Sequence, residues 1–193
     1  MESMADLELV ARAQRGESPA FDALMLRYQT RVSNMVYRYV EDRDVASDLV
    51  QDIFVKIYTH LKRFKGESSF STWLFRIAAN DCIDHIRRQK TRKETSLELI
   101  SEYGFDPADP RDESVDERLI EAADHQMVRL AIRQLDADQK MVLVMKVYEE
   151  MTFEDIAAAL ALPLSTVKSR LYKALEHVGR QVRRRQLIER IGT

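Results

Sequence analysis

The sequence predicts an all-α protein: two small helical domains joined by a flexible acidic linker, the C-terminal one containing a helix-turn-helix. Three observations carry this. Apolar residues recur at helical spacing through most of the chain. Only 5 Gly and 4 Pro occur in 193 residues, too few for a turn-dense β fold. Between residues 93 and 115 the periodicity gives way to Gly104, Pro107, Pro110 and a run of acids. The expected domains are 1–91 and 124–193, with the linker over 92–123.

Each element has a local reason. A first helix runs from about Asp6 to Arg15 and stops at Gly16, a suitable C′ glycine. Ser18 as N-cap and Pro19 at the first helical position open a second. Its stripe is Phe21, Leu24, Met25, Tyr28, Val32, Met35, Val36 and Tyr39. A third, from about Asp44 to Arg63, buries Ala46, Leu49, Val50, Ile53, Ile57 and Leu61. A fourth starts near Ser71 and ends near Lys90, with Ile77, Cys82, Ile83 and Ile86 on its inner side. Phe64 to Phe70 reads as an ordered loop between the last two.

Helical pattern resumes near Val115 and continues to Leu135. Asp136 caps a segment ending near Tyr148. Thr152, with Asp155 in capping-box position, opens a short helix from Phe153 to Ala161. Ser165 caps a long helix from Thr166 to about Leu187.

Charge is segregated along the chain. Residues 1–91 hold 14 Lys+Arg against 13 Asp+Glu, residues 92–124 hold 4 against 11, and residues 125–193 hold 12 against 8. The overall charge of −2 therefore conceals a basic C-terminal third. Cys82 is the single cysteine, so no internal disulfide forms and a reducing compartment fits. The longest strongly apolar run, Ile156 to Leu164, is far short of the roughly 20 residues a bilayer requires. A cytoplasmic protein without membrane insertion is expected. No nucleophile–base set, phosphate loop or carboxylate pair emerges, so no enzyme and no cofactor is expected. Cys82 and His85 lie three apart on one helix, but two ligands do not make a zinc site, and core packing is the expected role.

Two surfaces point to nucleic acid. On the last helix Val167, Leu171, Ala174 and Val178 can bury against Phe153, Ile156, Ala157 and Leu160. Thr166, Ser169, Arg170, Lys173 and His177 then face outward. The major groove admits one α-helix, and Arg or Lys near its start can reach guanine O6 and N7. Arg180, Arg183, Arg184 and Arg185 extend the basic surface. A helical hairpin with a solvated basic face is the plainer reading of the same pattern.

The second surface runs from Lys62 to Arg76. It interleaves Phe64, Phe70, Trp73 and Phe75 with Lys62, Arg63, Lys65 and Arg76. Aromatic rings stack on unpaired bases, at about 1–3 kcal/mol per base, while cations hold phosphates. Trp73 and Phe75 are equally well read as core. Gly66 and the serines let backbone approach a nucleotide. Asn80, Arg87, Arg88 and Lys90 continue this surface. On the third helix Asp48, Gln51, Asp52, Lys56 and Thr59 form a polar face with Val55 embedded in it.

Together these segments resemble a known family. Asp48-Leu49-Val50-Gln51-Asp52-Ile53-Phe54 is similar to the sigma-factor helix that grips the clamp coiled coil of the polymerase largest subunit. Phe64-Lys65-Gly66-Glu67-Ser68-Ser69-Phe70, continuing through Trp73 to Asn80, resembles the stretch that melts and reads the −10 promoter element. Thr166-Val167-Lys168-Ser169-Arg170-Leu171 resembles the start of the helix that reads the −35 element. The order, the spacing and the lack of further domains resemble the extracytoplasmic-function (ECF, group IV) sigma factors, nearest their sigma-E-like members.

The resemblance implies residue roles. Asp48, Gln51, Asp52 and Val55 would bind core polymerase. Phe64, Lys65, Gly66, Ser68, Phe70, Ser71, Arg76, Asn80, Arg87 and Arg88 would bind −10 DNA, a flipped base entering the Phe64–Phe70 loop. Thr166, Lys168, Ser169, Arg170 and Lys173 would bind −35 DNA. Implied partners are the polymerase clamp and flap, promoter DNA and an anti-sigma factor. The linker would thread polymerase channels. In holoenzyme the protein would be nucleoid-associated; an anti-sigma factor could hold it at the inner membrane. A stand-alone helix-turn-helix regulator is the alternative. Two positions depart from many relatives, which have Gly where this chain has Ala161 and Ser165. Ser is a good N-cap; Ala161 costs up to about 1 kcal/mol if its site is left-handed.

Overall fold

In the computed structural model, backbone is described over residues 5–40, 42–96 and 127–191, and side chains over 5–40, 42–89 and 127–183. Most of the 92–123 linker, the side chain of Lys90 and those of Arg184 and Arg185 lie outside the described residues.

Helix α1 (Asp6–Gln14) buries Leu9 and Val10. It closes at Gly16, whose φ of +93° only glycine adopts without strain. There Gly16 N–H donates to Ala13 O at 2.9 Å and Glu17 N–H to Arg12 O at 3.2 Å. Helix α2 (Ser18–Tyr39) starts one residue before the expected place. Glu17 occupies the cap position and Ser18 is already helical, so Ser18 caps nothing. Pro19 sits in the first turn, where its missing N–H costs no bond. The predicted stripe is buried from Leu24 through Tyr28, Val32, Met35 and Val36 to Tyr39.

Helix α3 (Arg43–His60) is capped by Asp42, which accepts from the N–H groups of Asp44 and Val45. It ends in a 3-10 turn, Leu61–Arg63. Helix α4 (Phe70–Ser96) is capped by Ser69 Oγ, which accepts from Thr72 N–H at 3.0 Å. The helix continues past residue 91, into what the sequence suggested was linker, because no Gly or Pro interrupts it before Gly104.

The C-terminal helices begin with α5 (residues 127–133). Then come α6 (Ala137–Leu143), a π turn (Val144–Tyr148), α7 (Phe153–Leu160) and α8 (Leu164–Ile191). Two predicted caps are present. Asp136 accepts from Gln139 N–H at 2.8 Å, and Thr152 Oγ1 accepts from Asp155 N–H at 3.0 Å. The third is not. Helix α8 starts at Leu164, and Pro163 O accepts its first backbone bond, from Val167 N–H at 3.2 Å. Pro163 precedes the helix with φ already fixed, so Ser165 falls inside the first turn rather than at the cap.

Most buried apolar residues form one cluster from Leu9 in α1 to Ala174 in α8. The seam joining the two sets of helices has α4 packed on α6 and α7, and α2 on the π turn. Among the described residues no helix is long and apolar enough to cross a membrane.

Ala161, between α7 and α8, lies in the left-handed region at φ 52°, ψ 45°. Its side chain is exposed and loses nothing on removal. Ala161→Gly should therefore raise the unfolding free energy by about 0.5–1 kcal/mol, read from urea denaturation of the full chain.

Candidate nucleic-acid interface

The three expected surfaces differ in how free they are. On α3, Asp48, Gln51, Asp52 and Val55 are all exposed, Val55 at 62%. The spacing i, i+3, i+4, i+7 puts them on one face. Beside them Tyr58 is 64% exposed, its ring edge-on to Phe21 at 4.9 Å. This is a polar face with an apolar centre, and no element covers it among the described residues.

The Phe64–Phe70 loop corrects one expectation. Phe64 and Phe70 are 8% and 1% exposed. Their rings stand 5.9 Å apart, edge to face, with Trp73 at 5.2 and 5.7 Å and Tyr28 at 5.5 Å from Phe70. Neither offers a free stacking face. Burial of two large rings outweighs leaving them open for a base. They form the wall from which the loop hangs. Lys65 and Gly66 are exposed and Ser68 and Ser71 half-buried, with Gly66 at φ +75°. What the loop presents is backbone, hydroxyls, the Lys65 ammonium and the Glu67 carboxylate.

On α4 the remaining cations are only partly available. Arg76 Nη2 donates to Ala158 O of α7 at 2.6 Å, while its Nε is buried without a partner. Arg87 pairs with Asp138 of α6 at 3.1 Å. Asn80 and Arg88 are exposed.

On α8, Lys168, Ser169 and Lys173 are exposed and Thr166 half-buried, while Val167, Leu171 and Ala174 are buried as the stripe requires. Arg170 is held: its Nη2 lies 2.9 Å from Asp138 Oδ2. One carboxylate thus takes an arginine from each surface expected to hold DNA. No sequence signal marked Asp138 for this.

Further bonds cross the seam. Thr72, 2% exposed, donates to Asp155 Oδ1 at 3.0 Å, and Tyr39 Oη donates to Ala137 O at 3.2 Å. Arg31 reaches Glu149 through its carboxylate at 3.2 Å and its carbonyl at 3.0 Å, with the guanidinium 4.9 Å from the Phe75 ring centre. The Glu149 side chain is 3% exposed. Burial pushes its carboxyl above the ordinary value, and Arg31 pulls back by less. Cys82 is fully buried, its thiol pushed up to about 12, chiefly by desolvation. No group of three or more metal-ligating side chains occurs among the described residues.

Comparison with known proteins assigns both halves. Residues 24–92 match Sigma-70 region 2, and residues 125–178 match Sigma-70, region 4. The chain is 34% identical over 178 residues to the RNA polymerase sigma-H factor of Pseudomonas aeruginosa, covering 91% of this chain and 92% of the relative. It is 35% identical over 184 residues to the ECF RNA polymerase sigma-E factor of Escherichia coli K12, covering 94% and 96%. In fold it is similar to the sigma factor RpoE of Bartonella quintana, solved with the anti-sigma factor NepR. That match has TM-score 0.67 and 24% identity, covering 84% of this chain and 96% of that one. It is likewise similar to CnrH, solved with the cytosolic domain of CnrY, at TM-score 0.65 and 24% identity, covering 91% and 96%.

The raised carboxyl of Glu149 fixes the sign of one pH effect. Buried beneath Arg31 of the other helical set, the Glu149 carboxyl binds its proton more readily than a solvated carboxyl does. Docking therefore strengthens as pH falls towards the carboxylate range and weakens as pH rises through the docked-state value. Glu149→Gln keeps an acceptor for Arg31 without a buried charge. In small-angle scattering under mild urea, which partly opens the parent, acidification should restore compactness, and the Gln variant should stay compact with that dependence reduced.

Proposed function

The chain belongs to the ECF sigma factors of the sigma-70 family, and on that premise we propose how its parts divide the work of starting transcription. It is a sigma factor, a specificity subunit that binds core RNA polymerase and directs initiation at particular promoters. The observation supporting the division of labour is positional. The 24–92 segment holds both the exposed α3 face and the Phe64–Phe70 loop, and the 125–178 segment holds the α7–α8 hairpin.

In this reading Asp48, Gln51, Asp52 and Val55 dock on the polymerase clamp. The carboxylates suit a basic partner helix, and Val55 supplies the desolvated centre that interfaces favour. Lys65, Gly66 and Ser68 take a base flipped from the non-template strand, against the wall of Phe64 and Phe70. Flipping costs a few kcal/mol and is cheapest where the duplex is already open. Asn80, Arg87 and Arg88 track the phosphates beyond it. Thr166, Lys168, Ser169, Arg170 and Lys173 enter the −35 major groove, with Arg170 towards base edges. The chain contributes no catalytic residue of its own.

The closed seam has a consequence in this reading. Arg76, Arg87 and Arg170 reach DNA only after they leave Ala158 and Asp138. The free chain is the resting state, and holoenzyme assembly selects an open one. The acidic 92–123 segment follows polymerase channels as a phosphate mimic. Sigma factors similar in fold are known in complex with anti-sigma factors; the same control applies here, with the protein in the cytoplasm or held at the inner membrane by such a partner.

Reconstitution tests the reading. Core polymerase plus the chain should open a defined set of promoters that core alone does not. Specific, tight binding of promoter duplex by the chain without polymerase would favour a stand-alone regulator. Arg170→Ala should weaken upstream-element recognition by about 1–3 kcal/mol, seen in open-complex formation on promoters with and without that element. Affinity for core polymerase should not fall.

A further inference from the structure

We propose that Gln14, on α1, is a positioning residue for the loop that reads the −10 element, acting through the backbone where the chain leaves α3. The proposal rests on the assignment of that loop above and adds a residue to it. Helix α1 (Asp6–Gln14) lies before the segment that matches region 2, residues 24–92.

The geometry is specific. The Gln14 carboxamide nitrogen donates to Leu61 O at 2.9 Å and to Phe64 O at 2.8 Å. A primary amide has two N–H groups, and both are used. The two acceptors are the first carbonyl of the 3-10 turn, that of Leu61, and the carbonyl of Phe64, the residue that closes it. Phe64 N–H also donates to Leu61 O, at 3.0 Å. One side chain thus fixes both ends of the last turn before Lys65.

Gln14 is itself held. It is the last residue of α1, just before the Arg15–Gly16 turn, and Arg12 pairs with Glu17 across that turn at 2.7 Å. At the other end of the helix, Asp6 accepts from Tyr28 Oη and from Arg27 Nη1, the latter at 2.6 Å. Tyr28 packs edge-on against Phe70, where the loop re-enters helix. Helix α1 therefore braces both ends of the loop: the entrance directly through Gln14, the exit through Asp6, Tyr28 and Phe70. Lys65, Gly66 and Ser68 are strung between two fixed points. A binding group displaced by a fraction of an ångström loses much of its affinity for a ligand of fixed shape.

The test uses the full chain in holoenzyme. Gln14→Met keeps the reach and removes the donors. Gln14→Glu keeps the shape and points an ionised oxygen at two carbonyls. The probe is a single-stranded oligonucleotide carrying the non-template −10 sequence of a promoter the holoenzyme opens. Affinity for it should fall about ten-fold in both variants, the scale of losing a pair of part-buried hydrogen bonds. Affinity for core polymerase and for a −35 duplex should match the parent. Parent-level −10 affinity in Gln14→Met would overturn the proposal. So would a parallel loss of −10, −35 and core affinity, which would make Gln14 a brace of the fold alone. Lys65→Ala separates the two claims. If it leaves −10 affinity untouched, the loop assignment fails; if it lowers affinity while Gln14→Met does not, only the brace fails.

Discussion

Helix α4 is the constraint on which the rest depends. One side of it closes the N-terminal core through Phe70, Leu74, Phe75, Ala78, Ala79 and Cys82. Its other side receives α6 and α7. The bonds that make this second contact come from Thr72, Arg76 and Arg87. Residues Arg76 and Arg87 belong to the surface expected to hold DNA. In the proposed function this one helix is core element, nucleic-acid surface and docking ridge, and it cannot meet DNA and α7 with the same guanidinium at once.

The forces at the seam suit a contact that must part. Hydrogen bonds such as Tyr39 to Ala137 contribute about 0.5–1.5 kcal/mol each. Exposed ion pairs such as Arg87 with Asp138 contribute about 0–1 kcal/mol. Asp138 is the instructive residue. It offers Arg87 and Arg170 one carboxylate, where DNA offers each a phosphate or a base edge and releases counterions as well. Glu149 differs, because its charge is buried and its pairing with Arg31 offsets desolvation only in part. It makes closure conditional rather than strong.

How much was legible follows from what each feature depends on. Stripes on α2, α3 and α8 were readable because helical spacing alone selects the buried face. The Asp136 and Thr152 caps were readable because capping is local. Ala161, whose cost depends on a left-handed site, does stand in one. The family was readable from the order and spacing of its motifs, and the matches to regions 2 and 4 agree with it. Misreadings came where a neighbour outside the window decides. Pro163 displaced Ser165 from the cap. Packing among Tyr28, Phe64, Phe70 and Trp73 drew into the core two rings that composition alone made available for stacking. Gln14, Asp138 and the Arg31–Glu149 pair carried no signal, since each acts on a partner distant in sequence.

In the proposed resting state the two surfaces expected to hold DNA are turned on the chain itself until core polymerase parts them. Its most direct measurement is an intramolecular distance. Ala11→Cys and Glu176→Cys place dyes on exposed positions of α1 and α8, and the buried Cys82 thiol stays unlabelled. Energy transfer should be high in the free chain and fall when core polymerase is added. Transfer that is low in the free chain, or unchanged by polymerase, would contradict the account.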